Sequence, residues 1–168
     1  MSWTTRPERP DDIRAIHRIN AAAFEREDEA DLVDALRADP GAWIGELSIV
    51  TVGQHDDVVG YALLTRCTVG GEPALALAPC AVAPTLQRTG AGSAAIRSGL
   101  SAAADLGENL VVVLGHAEYY PRFGFTPASG FGVSAPFDVP DDAFLALALD
   151  PDRATPRGPI VYADAFGI

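Results

Sequence analysis

The sequence predicts an α/β fold: one mixed, mostly antiparallel sheet that contains a single parallel strand pair and carries helices on its flanks. Three observations support this reading. Between Leu47 and Ala83 the apolar pattern falls into strand-like stretches separated by two tight turns, as in an antiparallel meander. On either side of that meander the apolar residues recur three and four apart, the helical period. Finally, residues 74–114 run in the order strand, helix, strand. A helical crossover joins parallel neighbours, whereas hairpins join antiparallel ones.

The elements can be taken in turn. A short strand is expected over Ser2 to Arg6. Pro10-Asp11-Asp12 opens a helix, with proline in its first turn and acids near the positive end of the dipole. Ile13, Ile16, Asn20, Ala23 and Phe24 share a face and carry that helix to about Phe24. A second helix covers Asp28 to Ala38, striped by Leu32, Val33 and Leu36, and Asp39-Pro40-Gly41 ends it. Strands follow over Leu47–Gly53 and Val58–Val69, joined by the turn Gln54-His55-Asp56-Asp57. Gly70-Gly71 then turns the chain into a strand over Ala74–Ala83. After the loop Pro84–Thr89, a helix runs from Gly90 to about Leu106, with Ile96, Leu100 and Ala103 on one face and Gly107 as its stop. Leu110–Leu114 is a short β-branched run that reads as a buried strand. Pro127 to Pro140, rich in Gly, Pro and aromatics, reads as loop. Ala143–Leu149 reads as the last strand, Asp150–Pro159 as loop, and Ile160–Ile168 as a tail laid back on the sheet.

Composition narrows the chemistry. The chain has 168 residues, which suits one domain over 1–168. Area scaling buries roughly 69% of its unfolded surface, enough for a core without disulfides or metals. Its formal net charge is −11, and every one of its 12 basic residues is an arginine. Without lysine there is neither a Walker A phosphate loop nor a Schiff-base amine. The acidic balance argues against nucleic acid, whose binding requires phosphates to be neutralised, and favours a neutral or cationic small partner. Cys67 and Cys80 lack metal-site spacing, and His17, His55 and His116 are scattered, so no metal site is expected and both thiols read as free and buried. With no apolar leader and no membrane-length apolar run, the expected location is the cytoplasm.

The segment Gln87-Arg88-Thr89-Gly90-Ala91-Gly92-Ser93 opens the helix that follows the parallel-pair strand. Unpaired N–H groups at a helix start attract anions, glycines let a phosphate approach the backbone, and Arg88 adds charge. The pattern also fits G-x-G-x-x-A, but a dinucleotide fold places its glycines directly after the first strand, and here three antiparallel strands come first. A glycine-rich helix start with no ligand is the plain alternative.

Gln87-Arg88-Thr89-Gly90-Ala91-Gly92 resembles the Q/R-x-x-G-x-G/A motif of the GNAT acyltransferases. Tyr119-Tyr120-Pro121-Arg122-Phe123-Gly124-Phe125 resembles that family's second signature, an aromatic Tyr followed by G-F. The element order from residue 2 to about 125 is also the family's, and Pro84-Thr85-Leu86-Gln87 together with the second motif most resembles the YhbS-like subgroup of predicted N-acetyltransferases. The resemblance implies a GNAT fold with acetyl-coenzyme A held as co-substrate in a V-shaped opening between the two parallel strands. Its pyrophosphate would sit on the amides of Arg88, Thr89, Gly90, Ala91, Gly92 and Ser93, in the motif that Gln87 opens. Its pantetheine arm would pair near Ala81 and Val82, with one N–H, that of Val82, on the thioester carbonyl.

The resemblance further implies acetyl transfer to a primary amine of a small acceptor by direct attack, with Tyr120 as the acid. Tyr119 is the fallback, and a tyrosine ring merely packed under the loop is the plain alternative. Where the family has Asn and Ala upstream of the Tyr, this chain has Val113 and His116, which implies a shorter helix there. For the base, His116, Glu118 and a water chain stay open. Cys80 reads as a small core residue rather than an acyl carrier. The acceptor pocket is expected between Phe24–Glu29 and roughly Phe131–Phe144, and the acid-rich run Glu25–Glu29 reads either as a lure for a cationic amine or as a solvated face. Edge strands or the tail could pair in a homodimer. Two other classes remain in view. One is a non-catalytic acyl-coenzyme A sensor; the other, an acetylating toxin of charged tRNA, fits poorly with a charge of −11.

Overall fold

The computed structural model describes residues 3–168; Ser2, the expected start of the first strand, lies outside the described residues. The strand itself, β1, spans Thr4–Pro7. Helix α1 covers Ile13–Phe24 and α2 covers Asp28–Arg37, after which come β2 (Ser48–Val52), β3 (Val58–Val69) and β4 (Glu72–Val82). Helix α3 (Ala91–Asp105) crosses over to β5 (Leu110–Leu114). The sheet order is β1-β2-β3-β4-β5 and then β8 (Phe144–Ala148) and β6 (Thr126–Pro127). β4 and β5 are the expected parallel pair.

The meander sorts its side chains by alternation, which shifts by one residue between Leu77 and Cys80 of β4. Ile49, Ala62, Leu64, Leu75 and Val111 face α3, whose Ala95, Ile96 and Leu100 complete that side of the core. Val50, Tyr61, Leu63 and Ala81 face the other way, against Ile16 and Ile19 of α1 and Val33 and Leu36 of α2. Farther along the second face no α-helix among the described residues covers the sheet. Ala128, Val133 and Ile160 instead pack there on Ala74, Ala76 and Val112.

That third cluster corrects two expectations. The segment 127–140 is not plain loop: it holds β6 and β7 (Val133–Ser134), and its Ala128 and Val133 are buried. Nor is 143–149 the last strand. β9 (Gly158–Val161) pairs antiparallel with Thr68–Val69 of β3 and parallel with β7. Its pattern is too short to stand out locally, since of its four residues only Ile160 is buried, at 2% exposure. The pairing is what defines the strand.

A polar network ties α2 to the sheet. Arg37 donates from Nε and Nη2 to the two oxygens of Glu8, at 2.9 and 2.8 Å. The buried Ser48 hydroxyl donates to Glu8 and lies 2.7 Å from the Tyr61 hydroxyl. Removing the cation strands the Glu8 carboxylate in this wall. Arg37→Ala should therefore lower stability by about 3 kcal/mol, and Glu8→Gln in that background should recover part of the loss, both read from urea unfolding midpoints.

His17 on α1 clamps the start and the middle of α2. Its Nε2 lies 2.8 Å from Glu27 and its Nδ1 2.8 Å from Asp34, with Asp31 close by. Both ring nitrogens can donate only in the imidazolium, so bonding to Asp34 first and Glu27 second raises the His17 pKa above its usual value. The clamp is whole below the unfolded-state pKa of about 6.5 and is lost as pH rises through the raised folded value. A partly exposed site limits the effect to about 1 kcal/mol or less. Melting temperatures followed from acid to mildly alkaline pH should fall more for the wild type than for His17→Gln, and the two curves should converge at high pH.

Candidate active site

The site opens where β4 and β5 stop pairing. They run parallel only from Leu75–Leu77 against Val111–Val113. Beyond that point β4 bulges: Ala62 sits opposite Cys80 and Leu64 opposite Leu77, so Ala78 and Pro79 together face only Leu63. The Ala83 N–H donates to Val59 O at 2.9 Å, which by alternation turns the N–H and C=O of Cys80 and Val82 away from β3. Those groups point into the gap that β5 has left. A strand-like ligand could pair with them there.

α3 aims its N-terminus at one end of this gap. Gly90 provides no capping side chain, so the N–H groups of Ala91, Gly92 and Ser93 face outward unpaired. The loop before the helix is pinned from behind, since Trp3 Nε1 donates to Thr89 O at 3.0 Å and Thr51 Oγ1 donates to Ala91 O at 2.8 Å. Gly92 is required by close approach: a Cβ there would stand 2.7 Å from Val82 Cγ2. Of the residues expected to hold the coenzyme, Ala81, Val82, Gln87, Arg88, Gly90, Gly92 and Ser93 line a cavity of about 650 Å³. Thr89 and Ala91 do not line it. The Thr89 hydroxyl donates back to Leu86 O and the Ala91 side chain is buried, so only their backbone N–H groups are left for a ligand.

A second cavity, about 700 Å³, lies on the other side of the gap. Phe24, Cys80, His116 and Tyr120 line both cavities, and they form the wall where two ligands would meet. Tyr120 opens a single 3-10 turn, Tyr120–Phe123, consistent with the short helix expected there. Its ring packs edge-on against Phe125 and Tyr119, and it fits only because residue 115 is glycine, for a Cβ at Gly115 would overlap it. Burial first, and then the neighbouring Cys80, push the Tyr120 hydroxyl well above the ordinary tyrosine range. Tyr119 is engaged elsewhere, its hydroxyl 2.9 Å from Ser93 Oγ beside the helix start.

Cys80 packs against the core, as its type suggested, and also lies on the site. It forms part of the shared wall, although burial pushes its thiol up to about 12, so it carries no thiolate at neutral pH. Cys67 is buried in the sheet. His116 is exposed on the shared wall, whereas Glu118 lines neither cavity. Val113 is wholly in the core.

The second cavity takes Phe24, Arg26, Asp28 and Glu29 from the α1–α2 corner, as expected, but nothing from 131–144. Those residues cover the far end of the sheet instead, with Phe144 and Val133 buried there. Ala165 and Phe166 close the cavity in their place. Pairing of β9 with β3 carries the tail across the sheet towards α2. Sequence patterns flagged none of Trp3, Gly115, Ala165 or Phe166; the contacts of Trp3, Ala165 and Phe166 at the site are long-range, and that of Gly115 is with Tyr120 five residues on.

Comparison with known proteins agrees with this geometry. The acetyltransferase (GNAT) family profile matches residues 12–125. The chain is 38% identical over 162 residues to the uncharacterized N-acetyltransferase YjhQ of Escherichia coli K12, covering 91% of this chain and 88% of the relative. It is 30% identical over 149 residues to the uncharacterized N-acetyltransferase YhbS of the same strain, covering 88% and 87%. The crystal structure of Escherichia coli YhbS in complex with CoA superposes with a TM-score of 0.90 at 27% identity, over 99% of this chain and 92% of that one. A GNAT acetyltransferase from Brucella melitensis in complex with acetyl-CoA gives 0.80 at 30% identity, over 98% of both chains. Among the described residues, no helix is long and apolar enough to cross a membrane. A mixed sheet parted at one parallel pair, a glycine-rich helix start beneath the gap and a tyrosine wall across it are thus found together with close sequence kinship, and the chain belongs to the GNAT acetyltransferase family.

Proposed function

We propose that the chain works as a single domain and moves the acetyl group of acetyl-coenzyme A to the primary amine of a small acceptor, without an acyl-enzyme. The observation that carries this reading is the wall of Cys80, His116 and Tyr120 between two cavities, one ending at a bare helix N-terminus. The coenzyme pyrophosphate lies on the N–H groups of Arg88 to Ser93, and its arm lies along Cys80–Val82. The Val82 N–H receives the charge that develops on the thioester oxygen; a preorganised donor of this kind is worth about 3–4 kcal/mol of barrier.

The amine must lose its charge before it attacks. His116, open to both cavities and to solvent, takes that proton. The nitrogen lone pair forms the C–N bond, the C–S bond breaks, and the electron pair leaves on sulfur. Tyr120, held fully protonated by burial, hydrogen-bonds to that sulfur and delivers the proton, and the second proton that the nitrogen sheds on becoming an amide restores the phenol. Burial that disfavours a thiolate at Cys80 disfavours a bare thiolate on the leaving sulfur as well, so that sulfur needs the proton. Cys80 stays a thiol, so direct attack is favoured over an acyl-cysteine.

Acetyl-coenzyme A at about 100 times its dissociation constant should stabilise the fold by about 2.7 kcal/mol, visible as a rise in melting temperature that NAD does not produce. No shift at millimolar ligand would sink the reading. Tyr120→Phe should lower kcat by roughly 10²–10⁴-fold in a thiol-release assay while the coenzyme-induced melting shift persists. A sensor module would instead give the melting shift and no thiol release with any amine. Gly115→Ala, which leaves the hydroxyl but displaces its ring, should lower kcat in the same direction with coenzyme binding retained; unchanged kcat would argue that the position of the ring does not matter.

A further inference from the structure

The acceptor-side cavity bears its carboxylates on one side only. Asp28 and Glu29 come from the first turn of α2, while Leu77, Pro79, Leu114 and Phe166 line much of the rest. The wall it shares with the coenzyme cavity carries no carboxylate at all. That separation matters chemically. Asp28 and Glu29 line only the second cavity and stand off the shared wall, which leaves them to serve some group of the acceptor other than the attacking nitrogen.

Glu29 is the recessed one. Its side chain is 12% exposed, against 63% for Arg26, which pairs with it from the α1–α2 corner. Arg26 Nε reaches the two Glu29 oxygens at 2.6 and 3.0 Å. A sunken carboxylate is thus covered by an outlying guanidinium that solvent can readily take back, because exposed pairs are weakly held. Once Arg26 swings out, the carboxylate requires another cation.

We propose that Glu29 recognises a second cationic group on the acceptor and that Arg26 is the internal cation which that group displaces. The acceptor class is then a primary amine joined through an apolar spacer to a second positive charge, of which aliphatic diamines are the simplest members. This inference rests on the acetyl-transfer reading for the identity of the cavity.

The experiment pairs putrescine and cadaverine with their uncharged-tail isosteres, pentylamine and hexylamine. Calorimetric binding to the coenzyme A complex and thiol release from acetyl-coenzyme A are both measured. The diamines should exceed their isosteres by roughly tenfold in affinity and in kcat/KM. Glu29→Gln should bring that ratio close to one, and Arg26→Ala should lower KM for the diamines. Equal treatment of diamines and isosteres, a preference that survives Glu29→Gln, weaker diamine binding in Arg26→Ala, or no binding of either diamine would each overturn the inference. Diamine binding that depends on Glu29 with no thiol release from any amine would leave the recognition standing and sink the transfer reaction. Thiol release from all four amines alike would do the reverse.

Discussion

Everything at the site depends on how briefly β4 and β5 stay paired. Three residues of parallel ladder end at Leu77 and Val113, and the bulge at Ala78-Pro79 then turns β4 aside. Backbone N–H and C=O groups must find partners, so the free edge of Cys80–Val82 is a standing demand for a ligand. The rest of the molecule is arranged around that edge. α3 ends beneath it, the Tyr119–Phe123 turn closes one side, and the α1–α2 corner and the tail close the other.

Charge follows the same plan. At the shared wall burial holds Cys80 and Tyr120 in their protonated, neutral forms. The coenzyme side carries Arg88, Arg122 and the positive end of α3, and the opposite side carries Asp28 and Glu29. A neutral centre between a cationic end and an anionic end suits a reaction that joins an anionic donor to a cationic acceptor, because each is drawn to its own side. The network of Glu8, Arg37, Ser48 and Tyr61 keeps α2, and with it the anionic end, at a fixed height over the sheet.

Much of this was legible along the chain. The bounds of β3 and β5 and the end of α1 follow from apolar period and turn residues alone, whereas the expected helix start at Pro10–Asp12 is a 3-10 turn that leads into α1 at Ile13. Gln87 to Ser93 stood out as a ligand-binding candidate because exposed backbone at a helix start is written locally as glycine. Tyr120 stood out only through the resemblance of its motif to the family's, four residues before Gly124. The acceptor side was half legible, at Phe24 to Glu29. Its other half was misplaced to 131–144, where aromatic residues do cluster, but on the far end of the sheet.

The sequence by itself determined the order of strands and helices, the single parallel crossover and the glycine-rich loop that opens α3, because each is encoded within a few neighbouring residues by periodicity, turn chemistry and the needs of a helix start. Only the tertiary structure decided that Phe24, Cys80, His116 and Tyr120 share one wall, that Gly115 makes room for the tyrosine ring, and that Phe166 rather than 131–144 closes the acceptor side. Those meetings depend on where β5 parts from β4 and on β9 pairing with β3. Apart from the local fit of Gly115 to Tyr120, these contacts are settled by packing between residues far apart in the chain, and no local pattern carries them.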